Sequence, residues 1–165
     1  MQSKIIQLSS KPIPKNEYIK AFDLCGDNEI SLWCDYIGDE VEDEKERKDY
    51  INGLVESMNG VLSLNKDGSI TYNGEESMKK FLKAWTNKLR ELVAGLTKDN
   101  ILYDFNLFRI KEACNRTHIE SYSRFYIEEW SGEHASLMVD FVEWIKSNLK
   151  ENNHIYVGAI INYHW

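Results

Sequence analysis

Among the side chains able to do chemistry, Cys114 and His118 in CNRTH come nearest to a ligand pair. At i and i+4 on a helix they would share a face, and Cys25 or Cys34 would extend them to a tetrahedral thiolate and imidazole set. That order matches no finger or ribbon spacing, and cysteines on apolar stripes usually serve as small core residues. No metal and no cofactor are therefore expected. A nucleophile needs a base and an orienting group, yet the chain carries no nucleophile elbow, no phosphate-cradling glycine loop and no HExxH. His164 lies on the polar parity of a terminal strand and would line a pocket with Tyr156 or Asn162, or else be a plain sheet histidine. Glu128 and Glu129 would point to opposite faces of a strand, which argues against an acid and base working together. No catalytic residue is assigned, and the expectation is a protein that is not an enzyme.

Charge is more informative than motif. The formal net charge is −7, and it is unevenly distributed. Residues 1–20 carry four lysines against Glu17, whereas residues 21–44 contain nine acids and no base. Residues 50–165 are nearly neutral. A clustered carboxylate surface repels phosphate but attracts the basic grooves of proteins that bind nucleic acid, with fast and salt-sensitive association. Asp35, Asp39, Glu40, Glu42, Asp43 and Glu44 are the candidate partner-binding residues. The plain alternative is a solvated helix in which Lys45, Arg47 and Lys48 of EVEDEKERKD pair with acids three or four positions away.

The elements that would carry this surface can be read from composition and period. A chain of 165 residues, 42% hydrophobic with five Trp, is long enough to bury a core as a single domain over 1–165. Three cysteines without a CxxC pair fit a reducing compartment. With no long apolar run and no secretory signal pattern, a cytoplasmic protein is expected, with no membrane contact.

Ile5, Ile6 and Leu8 suggest a first strand closed by Pro12 and Pro14, and Pro14 could open a short helix to about Cys25. Ile30, Trp33, Cys34 and Ile37 fit a helical stripe, although Ile30, Leu32, Cys34 and Tyr36 also alternate; the helix is preferred. Asp39 with Glu42 reads as the cap of a helix to about Met58. VLSLNKDGSITYN reads as a β-hairpin with Gly68 free to take positive φ. Asn73 would cap a helix whose stripe runs from Met78 to Val93 and packs on the sheet, and Thr97 would cap another, apolar over half its surface. Tyr122 to Glu129 read as a strand, and Ser131 as the cap of a last helix through Leu149.

In HIYVGAIINYHW the parity Ile155, Val157, Ala159, Ile161, Tyr163, Trp165 is wholly apolar, as a half-buried strand requires. The sum is an α+β fold with about five strands in a mainly antiparallel sheet, helices packed on it, and the C-terminal residues forming a strand.

The opening KIIQLSSKPIPKNEYI, with the later WCDYIGDEVEDE, resembles the start of uncharacterised small proteins encoded on phages and conjugative elements. That resemblance implies a setting only: accessory genes of mobile elements, many of which counter host defence. The functional expectation is an acidic binding protein that engages a basic protein partner, such as a nucleic-acid mimic that inhibits a nuclease, and does not itself bind nucleic acid. An immunity protein neutralising a toxin, and a small hydrolase or transferase with a site assembled from dispersed residues, are the alternatives.

Overall fold

The computed structural model describes residues 2–24, 35–115, 123–130 and 135–164. Strand β1 (Gln2–Ser9) is followed by two 3-10 turns, Lys15–Glu17 and Ala21–Leu24, then β2 (Tyr36–Glu40) and helix α1 (Glu44–Ser57). The hairpin β3 (Leu62–Leu64) and β4 (Ile70–Tyr72) leads into α2 (Glu75–Ala94) and α3 (Asp104–Asn115). After β5 (Arg124–Ile127) come α4 (Met138–Asn148) and β6 (His154–His164). Among the described residues six strands form a mixed sheet in the order β3-β4-β6-β1-β5, with β2 also paired to β6. Only β1 and β5 run parallel; the other pairs are antiparallel. The alternation of HIYVGAIINYHW is realised as β6, the C-terminal strand of an α+β fold. Trp165 lies outside the described residues.

β6 is the spine of the sheet. One edge is paired to β1 along its length. The other is shared, with β4 at Ile155 and β2 from Ile161 to His164. Its two faces serve different cores. Leu8, Phe81, Phe125, Phe141, Ile145, Ile155 and Ile160 belong to a large cluster under α1, α2 and α4. Ile5, Ala159, Ile161 and Tyr163 form a smaller one with Leu24 and the partly buried Tyr18 and Ile19. The odd residues of β6 therefore change face between Val157 and Ala159.

The change is made by a bulge. Ile6 pairs with Ile160 but Leu8 pairs with Val157, so Gly158 and Ala159 together oppose Gln7. A bulge inserts one extra residue and rotates the strand beyond it. Gln7 is fully buried and fills the gap. Its Oε1 accepts from the Ala159 amide at 2.8 Å and the Ile19 amide at 3.1 Å, while Nε2 donates to the Glu17 carbonyl at 3.0 Å and to the Glu128 carboxylate. A Cβ on residue 158 would lie 2.3 Å from Gln7 Oε1. Only glycine fits.

Several local expectations change. The segment after Pro14 forms two 3-10 turns rather than one helix. Residues 25–34 lie outside the described residues, but Tyr36 and Ile37 belong to a strand, because the open edge of β6 supplies partners: the Asp35 amide donates to the His164 carbonyl at 2.7 Å. The cap of α1 is Asp43, which accepts from the Glu46 amide at 2.8 Å, not Asp39. Gly74 at φ 89° precedes α2, with no side-chain cap, and Asn73 instead donates to the Gly60 carbonyl. Thr97 begins a turn, and α3 starts only at Asp104.

α2 meets the large cluster through buried Met78 and Phe81 and the partly buried Leu82, all in its first half, and its distal half runs on to meet α3. There Leu102 is 87% exposed, with Tyr103, Phe105 and Phe108 also exposed. Ser131 lies outside the described residues; α4 begins where Asp140 accepts from the Leu137 amide at 2.9 Å.

Gly158→Ala should destabilise the protein by about 1–3 kcal/mol, the usual range for overpacking a filled interior. Urea denaturation followed by tryptophan fluorescence will measure it. A change below about 0.5 kcal/mol would show that the bulge has room the structure does not give it.

Candidate binding surface

The six acids chosen from the sequence are held along one edge, since β2 and the first turn of α1 follow each other in space as in sequence. They are not equivalent. Asp35 Oδ2 lies 3.0 Å from His164 Nδ1, and the His164 ring stacks on Tyr36 at 5.5 Å between centroids. Glu40 Oε1 accepts from the Ala21 amide at 2.9 Å, fastening the 21–24 turn to β2. That backbone hydrogen bond is the main reason the Glu40 carboxyl titrates below its ordinary value. Asp43 caps α1. Asp39, Glu42 and Glu44 are exposed.

The bases expected to neutralise this edge do not do so. No ion pair joins Lys45, Arg47 or Lys48 to an acid among the described residues. Arg47 instead turns across the sheet: its Nη2 donates to the Gly158 carbonyl at 2.7 Å, and its guanidinium lies 5.6 Å from the centre of the Tyr18 ring. Residues 35–46 thus hold seven acids and only Lys45 as a base. Acids at a helix N-terminus also complement the helix dipole, so part of this charge stabilises α1.

Two aromatics outside the acidic run's sequence signal flank these acids. Phe22 is 84% exposed on the turn that Glu40 holds, and Tyr36 is 54% exposed at the start of β2. Phe22 carries no sequence signal, because an aromatic in a short turn has no period. Tyr36 fits the alternating pattern of a strand, and the structure places it in one.

A cleft of about 1070 Å³ opens beside this edge, where β4 and β2 leave β6 uncovered. Its floor is Tyr156, Val157, Ala159 and Ile160; its walls include Ile13, Tyr18 and Ile19 on one side and Val41, Arg47 and Ile51 on the other, and the hairpin turn Asn65–Ser69 closes one end. Among the described residues its lining holds no histidine and no cysteine. Tyr156 lines it, whereas His164 and Asn162 do not. Asn162 is held by its own bonds to Lys4 and to the Asp39 carbonyl.

One trio resembles a catalytic set and fails on order. Ser69 Oγ donates to Asp67 Oδ1 at 2.7 Å and lies 3.2 Å from His154 Nδ1. A triad needs the histidine between serine and carboxylate. Here the carboxylate takes the hydroxyl directly, a bond that is the main cause of its lowered pKa. The trio fastens the hairpin turn.

Glu128 and Glu129 lie in the turn after β5, not on opposite faces of a strand. Both reach back to β1, Glu128 to Gln7 and Glu129 to the hydroxyls of Ser9 and Ser10 at 2.7 Å each. Cys25, Cys34 and His118, together with the Cys114 side chain, lie outside what is described. Among the described residues no group of three or more His, Cys, Asp and Glu could hold a metal, and no helix is long and apolar enough to cross a membrane.

No family model, curated protein or solved structure matches the chain.

The Glu40 bond has a pH signature. Its folded pKa is depressed, so its contribution is fully present above the ordinary carboxylate range and is lost as pH falls through the folded value. Glu40→Gln should lower the melting temperature at neutral pH and converge with the parent protein in acid. Calorimetry across that range checks it; a constant gap would exclude the ionised bond as the cause.

Proposed function

We propose that this protein is a non-enzymatic binding protein that engages a basic protein partner through the edge made by β2, the start of α1 and the 21–24 turn. The observation that carries the reading is the pairing of exposed Phe22 and Tyr36 with an acidic edge whose nearby arginine is committed elsewhere. Protein interfaces concentrate their energy in a few aromatic anchors ringed by polar groups. Charge of one sign around them speeds encounter with a partner of the other sign. A protein that normally holds nucleic acid, such as a nuclease, offers that basic surface, and blocking it would suit the mobile-element setting that the resemblance implies.

Among the described residues the cleft lining holds carboxylates and lysines but no histidine and no cysteine, so nucleophilic catalysis there would need an activated hydroxyl. The trio at the hairpin does not supply one, since its only hydroxyl is spent on Asp67.

The test starts by capturing the partner from cells that carry the gene and measuring association over a salt series. Reversing Asp39, Glu42 and Glu44 to Lys should slow association by roughly tenfold or more and flatten its salt dependence. Phe22→Ala should weaken binding by about 1–2 kcal/mol while stability changes by no more than about 0.5 kcal/mol. Association that is unaltered in the triple variant at every salt concentration would sink the proposal.

A further inference from the structure

The uncovered part of β6 has a polarity of its own. The carbonyls of Asn153 and Ile160 accept from Tyr72 and Val41 on the edge shared by β4 and β2, at 2.9 and 2.7 Å. On the other side of β6, Leu8, which stands opposite Val157, spends its carbonyl on the Glu128 amide at 2.9 Å. Alternation along a strand then directs the Val157 N–H and C=O into the gap between β4 and β2. No bond to them is formed there among the described residues: β4 pairs no further than Ile155, and β2 ends at Glu40. The next carbonyl, Gly158, takes the Arg47 guanidinium in place of a strand amide.

Arg47 is half-buried, faces no carboxylate within ion-pair distance among the described residues, and its side chain makes a single hydrogen bond there. A guanidinium has five N–H donors in a planar fork. Only one of these donors is engaged among the described residues, and Arg47 lines the cleft. Lys15, Lys20, Lys48 and Lys66 line the same cleft with Arg47, against the carboxylates Glu40, Glu42, Glu44 and Asp67. The bases outnumber the acids by one, and Arg47 is the base that reaches the Gly158 carbonyl on β6.

We propose that this cleft receives the C-terminal end of a polypeptide, whose carboxylate pairs with Arg47 and whose last residues add to β6 at Val157. Backbone pairing selects an extended peptide, since only a main chain supplies alternating N–H and C=O groups at strand spacing. The length of the gap selects a chain end. β2 and β4 lie in line along one edge of β6, so the turn at Asn65–Ser69 and the departure of the chain after Val41 block a strand that would run through. Arg47 can keep Gly158 and still grip a carboxylate with its remaining N–H groups. Apolar side chains on alternate peptide residues would meet Ile13 and Ile19 on one face of β6 and Ile51 on the other. Glu40, Glu42 and Glu44 of the acidic edge also line this cleft, yet capture is read at Val157 and Arg47, so it holds or fails separately from the salt-dependent association proposed for the edge.

The test uses the unaltered full chain, labelled with 15N, and a pool of tetrapeptides with apolar residues at the last and third-last positions. One half of the pool has free C-terminal carboxylates and the other is amidated. The free acids should shift the Val157 and Gly158 amide resonances, and amidation should raise the concentration needed by at least tenfold. Arg47→Gln should abolish the difference between acid and amide; if that variant folds poorly, the acid and amide comparison on the parent protein decides alone. Equal responses to both halves, or no movement of Val157 at millimolar peptide, would overturn the proposal. So would acetate reproducing every shift, since the site would then be a bare anion contact.

Discussion

The constraint on which the rest of the molecule depends is the contact between Gln7 and the bulge at Gly158. A buried primary amide is costly unless each of its groups finds a partner. Gln7 finds four, on three separate pieces of chain: the bulge of β6, the 17–19 segment and the turn after β5. A leucine at position 7 would leave the Ala159 and Ile19 amides without acceptors, and an alanine at position 158 would push the amide out. The pair is local in space and 151 positions apart in sequence, so it ties the first strand to the last.

From that bulge come both the second core and the cleft. Had β6 kept strict alternation, Ile161 and Tyr163 would lie on the same face as Ile155, and the segment carrying Tyr18, Ile19 and Leu24 would have no apolar surface to cover. The rotation gives it one. It also places the Gly158 and Ile160 carbonyls on one edge, so that β2 pairs only beyond the bulge and β4 only before it. The open stretch between them is the consequence of a sheet spine whose two ends belong to different registers. Arg47 crosses to that stretch, and by doing so leaves the acids around α1 without their nearest cation.

How much of this is legible in the sequence depends on what each signal measures. Period two in HIYVGAIINYHW is enough for a strand, and Asn-Lys-Asp-Gly is enough for the hairpin, whose Gly68 sits at φ 86°. The bulge is hidden because the odd residues remain apolar on both sides of it; burial looks the same in sequence whichever core receives the side chain. Asp39 with Glu42 and Asp43 with Glu46 have the same capping spacing, and local pattern cannot choose between them. The strand takes the first pair because β6 has carbonyls to satisfy. The apolar stripes of residues 85–110 read as core, yet Tyr103, Phe105 and Phe108 are exposed, since amphipathicity states which face wants cover and not whether a partner lies in the same chain. For the candidate surface, the acids are visible as a run, while Phe22 and Arg47 acquire meaning only from contacts 19 and 111 positions apart in the chain.

The acidic edge then combines two uses of charge that need not conflict. Asp43 at the helix cap and Glu40 on the Ala21 amide serve the fold, and both are favoured by backbone N–H groups that need no mobile cation. Edge strands also gain from charge, which discourages pairing with another chain. Among the described residues the side chains of Asp39, Glu42 and Glu44 make no such bond, and a basic partner would meet them without first breaking anything that holds β2 or α1 in place. A surface can be tuned for recognition at low cost to stability only where its charges are free in this sense. Here the free and the fixed carboxylates alternate along one short run of chain, so the fixed ones set the position at which the free ones are presented.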